Sequence, residues 1–341
     1  MKKKSLALVA LGGALVMALA GCGTTQAPTA SDASASRSAG CDDDTTAIST
    51  GAVSVTDDLG RTVELDKPAE RIAVLEWQQI EDALSLCVTP VAVADAEGYS
   101  TWVTAEELPE GVTDVGTRQE PNLETLFGTE PDLVIVEVSA ADDPIVSQLE
   151  AYDVPVLATV GADAADPIAK MLGTLDLIAQ VTGREERAEV VADEFQEHLD
   201  AATAELADLD LPTKEFVFFD GWVDGGNVAL RPFGQGSLVG EIGEKLGLTN
   251  AWTGEVDPAY GLGQTDVEGM TTVGDASLFY TGTEDPESES FIDALQDNPA
   301  WTSLPAVAEG RLTAFPAGIW TFGGPRSTQQ IIDGYLEVLS K

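Results

Sequence analysis

One arginine stands out by its setting. Arg118 lies in the turn Gly116-Thr117-Arg118-Gln119-Glu120, directly before Pro121-Asn122-Leu123-Glu124. Pro121 and Asn122 open a helix there, with Asn122 as N-cap and Glu124 in the first turn. A guanidinium held just ahead of a helix N-terminus favours negative charge twice over, so the turn suits an electronegative ligand group. The ordinary alternative is a solvated surface charge. Aromatic residues supply the rest of a binding surface. Trp77, Tyr99, Trp102, Trp222, Tyr260, Trp320 and Phe322 sit beside glycine or turn residues, or at ends of predicted strands, where they line a cleft more readily than they fill a core. With Arg118 and Arg231 they describe a pocket for a bulky, partly apolar ligand carrying electronegative oxygens.

Other chemistries find less support. There is no Gly-x-Ser-x-Gly elbow, and the single histidine, His198, falls in a helical stretch away from any evident nucleophile, so the chain does not read as an enzyme. The three cysteines and one histidine are scattered along the chain and make no histidine or thiolate cluster, and the carboxylates lack calcium-loop spacing, so no resident metal or cofactor is expected. Gly234-Gln235-Gly236-Ser237-Leu238-Val239-Gly240 resembles a dinucleotide fingerprint. Arg231-Pro232 argues against a strand running into it, however, and no ribose-binding acid follows. A glycine-rich helix start facing the cleft is the better reading.

The elements around these residues alternate. Val53–Thr56 and Thr62–Leu65 read as a hairpin, followed by strands at 71–75, 90–94, 133–136 and 154–159, with helices at 79–86, 122–127 and 145–151 between them. From 167 the pattern is helical for some forty residues, broken only at Gly183. Phe216-Val217-Phe218-Phe219 then begins a second α/β series with helices at 237–246, 290–294 and 327–339. The expected organisation is two Rossmann-like α/β lobes, 53–183 and 209–341, joined by a long rigid helix at 184–208, with a ligand cleft between them.

Charge and the N-terminus bound the setting. With 59 acidic against 17 basic residues the net charge is −42, which opposes electrostatic binding to nucleic acid or to an anionic membrane. Lys2-Lys3-Lys4, the apolar run Leu6–Ala20 and Leu19-Ala20-Gly21-Cys22 resemble the signal and lipobox of bacterial lipoproteins. The resemblance implies removal of 1–21 and acylation of Cys22. Residues 22–52, poor in large apolar side chains, are expected to form a flexible tether. Cys41 and Cys87 can pair outside the cytoplasm, although sequence does not supply the geometry.

Several motifs together resemble the substrate-binding lipoproteins of iron-siderophore ABC importers: Thr56-Asp57-Asp58-Leu59-Gly60-Arg61-Thr62, Pro121-Asn122-Leu123-Glu124, Glu130-Pro131-Asp132-Leu133-Val134-Ile135, Leu246-Gly247-Leu248-Thr249-Asn250-Ala251-Trp252 and Trp301-Thr302-Ser303-Leu304-Pro305. Within that class, Trp102-Val103, Leu108-Pro109, Asp114-Val115-Gly116, Arg118 and Glu120-Pro121-Asn122 are similar to the ferric-hydroxamate binders, as are Phe233-Gly234-x-x-Ser237-Leu238 and Ile319-Trp320-Thr321-Phe322-Gly323. The resemblance implies a monomeric, membrane-anchored extracytoplasmic receptor that delivers an Fe(III)-siderophore to an ABC permease and its ATPase subunits. It assigns ligand contact to Arg118, Trp102, Tyr260 and Trp320, with Trp77, Phe322 and Arg231 as further candidates, and permease docking to Glu124 and Glu268. Glu137-Val138-Ser139-Ala140-Ala141 departs from the pattern, having no aromatic residue where the hydroxamate binders supply a tyrosine. Haem, cobalamin, ferric citrate or a catecholate is the alternative cargo. An exported enzyme or a surface adhesin is a more distant reading.

Overall fold

The computed structural model describes residues 41–140, 142–281 and 290–341. The expected signal segment 1–21 and acylation site Cys22 lie outside them. The first lobe begins with the antiparallel hairpin β1 (Val53–Thr56) and β2 (Thr62–Leu65). There follow β3 (Ile72–Val74), α1 (Trp77–Ser85), β4 (Ala92–Val93), α2 (Ala96–Trp102), β5 (Thr113–Asp114), α3 (Leu123–Gly128), β6 (Leu133–Glu137), α4 (Pro144–Glu150) and β7 (Val156–Thr159). Their strands form one parallel sheet in the order β5-β4-β3-β6-β7. Both faces of the central strands are covered, which is why β3, β4 and Leu133–Val136 of β6 are continuous apolar runs. Leu133 and Ile135 enter one core, and Val134 and Val136 the other.

In this sheet the strand order reverses between β3 and β6. Ligands of open α/β sheets bind outside the carboxyl ends of the strands at such a switch point.

The second lobe comprises β8 (Glu215–Asp224), β9 (Asn227–Phe233), α7 (Leu238–Lys245), β10 (Thr249–Asn250), α8 (Val267–Met270), β11 (Ser277–Tyr280), α9 (Phe291–Leu295), α10 (Pro299–Thr302), α11 (Pro305–Ala308), β12 (Leu312–Ala314) and α12 (Pro325–Leu339), with α5 (Pro167–Thr182) and α6 (Glu185–Ala207) lying between the lobes. Its parallel path is β10-β8-β11-β12, with β9 antiparallel to β8. Here the sequence reading needs correction, because β9 does run straight into the glycine-rich turn. Pro232 is tolerated since its carbonyl accepts from the Gly263 amide. The missing N–H therefore faces that loop, and the β8 ladder loses nothing.

The connection between lobes is wider than one helix. From the second lobe's core at Met171, α5 (Pro167–Thr182) enters the first lobe's core at Leu175 and Ile178, the chain turns at Gly183, and α6 (Glu185–Ala207) returns through Val191 to Phe195 and Leu199. Both helices thus belong to both cores. A third tie comes from α12, whose N-terminal Ser327 donates from its amide (2.8 Å) and hydroxyl (2.5 Å) to the fully buried Glu81 of α1. That carboxylate meets the positive end of a helix from the other lobe. Gly324 makes the approach possible, since a Cβ there would lie 2.2 Å from Oδ1 of Asp82.

Residues 41–52 correct the expected tether boundary. Cys41 is buried and disulfide-bonded to Cys87. Asp44 pairs with Arg184, the Ala47 amide donates to Glu186 and the Ser49 amide to the Gly183 carbonyl. The segment is fastened by a covalent link and polar contacts, which its scarcity of large apolar side chains conceals. Arg184 and Arg187 also donate to the last carbonyls around α1, Leu86 at 2.8 Å and Ser85 at 3.0 Å, satisfying a helix end that would otherwise be orphaned.

Candidate functional site

The ends of β3 and β6 each deliver a carboxylate to the switch point. Glu76 follows β3 and caps α1, its Oε1 accepting from the Trp77 amide at 2.8 Å. Glu137 closes β6. Between them and the second lobe lies a cavity of about 270 Å³, into which Arg118, Arg231, Tyr260, Trp320 and Phe322 also project. Five of the expected ligand residues are therefore brought together, from both lobes, around one space.

Arg118 is not a free cation. The turn that carries it is closed by a bridge between Gly116 and Pro121, with Gly116 at φ +94°, a conformation that favours glycine. Its Nη1 lies 2.5 Å from Oε1 of Glu76, and its Nε 3.8 Å from Oδ2 of Asp95. That Nε is buried and without a hydrogen-bond partner among the described residues. Arg231 is likewise committed, its fork holding Asp220 at 2.9 and 2.5 Å. Burial raises the Asp220 carboxyl above the ordinary range, and the Arg231 fork opposes the rise.

The aromatic walls are continuous. Trp320 lies 4.8 Å edge-on from Trp77 and 5.2 Å from Phe322, which in turn meets Tyr260 at 5.6 Å. Trp77 corrects its expected place: it sits in the first turn of α1, is 4% exposed, and forms the floor beneath Arg118, with its indole N–H on the Asp95 carbonyl. Trp102 ends α2 half-buried against the first core and is not among the described residues lining the cavity. Tyr99 is wholly buried, its hydroxyl on the Glu106 carbonyl, and Trp222 is 42% exposed on β8.

Sequence reasoning missed Glu76 and Glu137 as site residues. Glu137 stands where the expected aromatic is lacking, and a phenol reaches it from the other lobe: Tyr260 donates to Oε1 at 2.8 Å. Gly161 leaves room for this bond, since a Cβ there would come within 2.2 Å of the Tyr260 hydroxyl. Gln79 donates to the second oxygen at 3.2 Å. Burial first, and the nearby Glu76 charge second, push the Glu137 carboxyl up. Its bonds to Tyr260 and Gln79 and the charge of Arg118 work against that rise. The signal was position: both glutamates stand at carboxyl ends of strands flanking the switch point.

Elsewhere, Glu124 and Glu268 are exposed in the first turns of α3 and α8, each behind a capped N-terminus, Asn122 accepting from Thr125 and Asp266 from Gly269. His198 pairs with Asp333 of α12 at 2.8 Å. A larger hollow of about 610 Å³ runs beside the β1–β2 hairpin, but none of the described residues lining it is aromatic, and the charged ones are Glu64, Asp66, Lys67 and Asp132. The interlobe cavity is the better candidate because aromatic and guanidinium groups converge there. Among the described residues no group of three or more His, Cys, Asp or Glu is placed to hold a metal ion.

Comparison with known proteins agrees with this architecture. Residues 72–317 match the model of the periplasmic binding protein family. The chain is 26% identical over 262 residues to the iron(3+)-hydroxamate-binding protein FhuD of Escherichia coli, covering 77% of this chain and 84% of that protein. It is 26% identical over 274 residues to the Fe(3+)-citrate-binding protein YfmC of Bacillus subtilis, covering 80% and 81%. The fold is similar to that of the FhuD siderophore-binding protein from Vibrio cholerae solved with Fe3+-Desferal, at a TM-score of 0.67 and 23% identity over 79% of this chain and 97% of that one. The chain belongs to the periplasmic binding protein family.

Proposed function

We propose that this protein is the extracytoplasmic receptor of an ABC importer, and that it captures an Fe(III) chelate of the hydroxamate type between its lobes and presents it to the permease. The observation that carries the reading is the convergence of Arg118 with Tyr260 and Trp320 on one interlobe cavity. A tris-hydroxamate surrounds Fe(III) with hard oxygens, so the receptor needs no metal ligands of its own. It needs a donor for the chelate oxygens and aromatic walls for the shell, and the cavity offers both. The similarity to the Escherichia coli hydroxamate-binding protein supports the same cargo. The exposed Glu124 and Glu268 are the proposed permease contacts, one on each lobe, and acylated Cys22 the proposed membrane anchor.

Ferric citrate is the second reading, favoured by the likeness to the Bacillus subtilis citrate-binding protein. The test is titration of the purified, unlipidated protein with ferrichrome and ferrioxamine B, following tryptophan fluorescence, with ferric citrate in competition. Quenching at micromolar hydroxamate is expected. No response to either hydroxamate overturns the reading, and preferential binding of ferric citrate replaces it.

A further inference from the structure

The charges around the cavity do not balance. Its two guanidiniums are each held by an acid, Arg118 by Glu76 and Arg231 by Asp220. Asp95 stands behind Arg118 at 3.8 Å. Glu137 is then left over as an acid facing the same space, its two oxygens met by the neutral donors Tyr260 and Gln79. No lysine and no third arginine lines the cavity among the described residues. A site in which every cation is already paired with an acid and one carboxyl takes its hydrogen bonds from neutral donors alone offers an anionic guest no uncommitted counter-charge. To a guest bearing a positive group it offers a partly buried acceptor. The aromatic faces of Trp320, Phe322 and Tyr260 add a surface on which a cation also gains.

We infer that Glu137, backed by Glu76, determines the charge specificity of the cleft: it selects ferric chelates carrying an ammonium group over otherwise identical neutral ones, and both over anionic chelates. This inference rests on the proposed function and names the charge class of its ligand. In the bound state the ammonium donates to Glu137 in place of the Tyr260 hydroxyl, which is freed to donate to a chelate oxygen. Glu76 acts by occupying Arg118, so that this guanidinium gives hydrogen bonds to the chelate without lending the cleft a net positive charge.

The experiment compares ferrioxamine B, which bears a free ammonium, with its N-acetylated form, which shares the iron centre and is neutral, using calorimetry on the unlipidated protein. Neutral ferrichrome, a ferric tris-catecholate and ferric citrate complete the panel. The wild-type protein is expected to favour the ammonium form by at least about ten-fold, near the lower end for a hydrogen bond to a charged group. Glu137→Gln keeps an acceptor for Tyr260 while removing the charge, and is expected to bring that ratio close to one. Glu76→Gln, which releases Arg118, is expected to improve binding of the anionic chelates relative to ferrichrome. Hydroxamates that bind with equal affinity in both forms, or a ratio unchanged by Glu137→Gln, overturn the inference and leave the proposed function standing. Tighter wild-type binding of an anionic chelate, or binding of nothing in the panel, overturns both.

Discussion

The guanidinium of Arg118 lies 3.8 Å from the centroid of the Trp77 ring. The tryptophan belongs to the first turn of α1 and the arginine to the turn before α3, so the two positions are fixed by different helices of one lobe. Stacking on one face and pairing with Glu76 at the edge leave the guanidinium little freedom. It is set before a ligand arrives, which reduces the ordering cost of binding.

Arg118→Ala should therefore cost more than a flexible surface cation would. The expected loss of ferrichrome affinity is about 1.5–3 kcal/mol, the range for a hydrogen bond to a charged group, read by fluorescence titration. Arg118→Lys keeps the charge but neither the fork nor the stack, and should recover less than half of that loss. Full recovery by lysine would show that charge alone matters.

The buried acids between the lobes make stability depend on pH. Both oxygens of Asp82 are without hydrogen-bond partners among the described residues. Burial, and then the Glu81 charge, raise its carboxyl well above the ordinary range. The folded state thus favours the protonated form. The stability this residue allows is complete below the unfolded carboxylate value of about 3.9, and it is lost as pH rises through the raised value. Asp82→Asn, which fixes an uncharged side chain, should raise Tm by at least about 2 °C near neutral pH, with the gain shrinking as the pH approaches that unfolded value. A difference in Tm that does not change with pH would refute this account.

The Cys41–Cys87 disulfide should carry a sizeable share of stability, since it closes a loop of 46 residues in sequence. Replacing both cysteines by serine is expected to cost about 2–4 kcal/mol in urea unfolding. Hydrogen exchange should rise at Ala47 and Ser49, whose amides are held only while the segment lies on the lobe. Unchanged exchange there would show that the Asp44–Arg184 pair suffices.

Much of this was legible in sequence, for identifiable reasons. The strands of the first lobe announce themselves because a parallel sheet covered on both faces must be apolar at every position, as Leu133–Val136 are. Arg118, Arg231, Tyr260, Trp320 and Phe322 stood out as residue types that turns rarely spend without purpose. Glu76 and Glu137 did not, because in a chain with 59 acids a carboxylate carries no contrast. Only the strand order singles them out, and strand order is a long-range property. Trp77 was misplaced because the start of α1 is polar, Gln78-Gln79, and its helical period begins only at Ile80. The helix α2 went unseen because it is short, and its N-cap, Asp95, adopts the left-handed conformation that usually marks a turn. Pro232 hid β9, since the face to which a proline turns its missing donor depends on pairing that sequence does not state.

The disulfide between Cys41 and Cys87 also sets a load path. Cys87 lies just past the end of α1, whereas the helix begins at Glu76 and Trp77 beside the cavity, about 13 Å away at 1.5 Å per residue. Traction on the chain upstream of Cys41 enters the fold at that far end, where Arg184 and Arg187 brace the α1 carbonyls. The rest passes along the main chain of 42–52 to the hairpin, past the Asp44–Arg184 pair and the bonds of the Ala47 and Ser49 amides. The crosslink works as strain relief does on a cable, because a pull applied at Cys41 is shared with the end of α1 that lies away from the cavity.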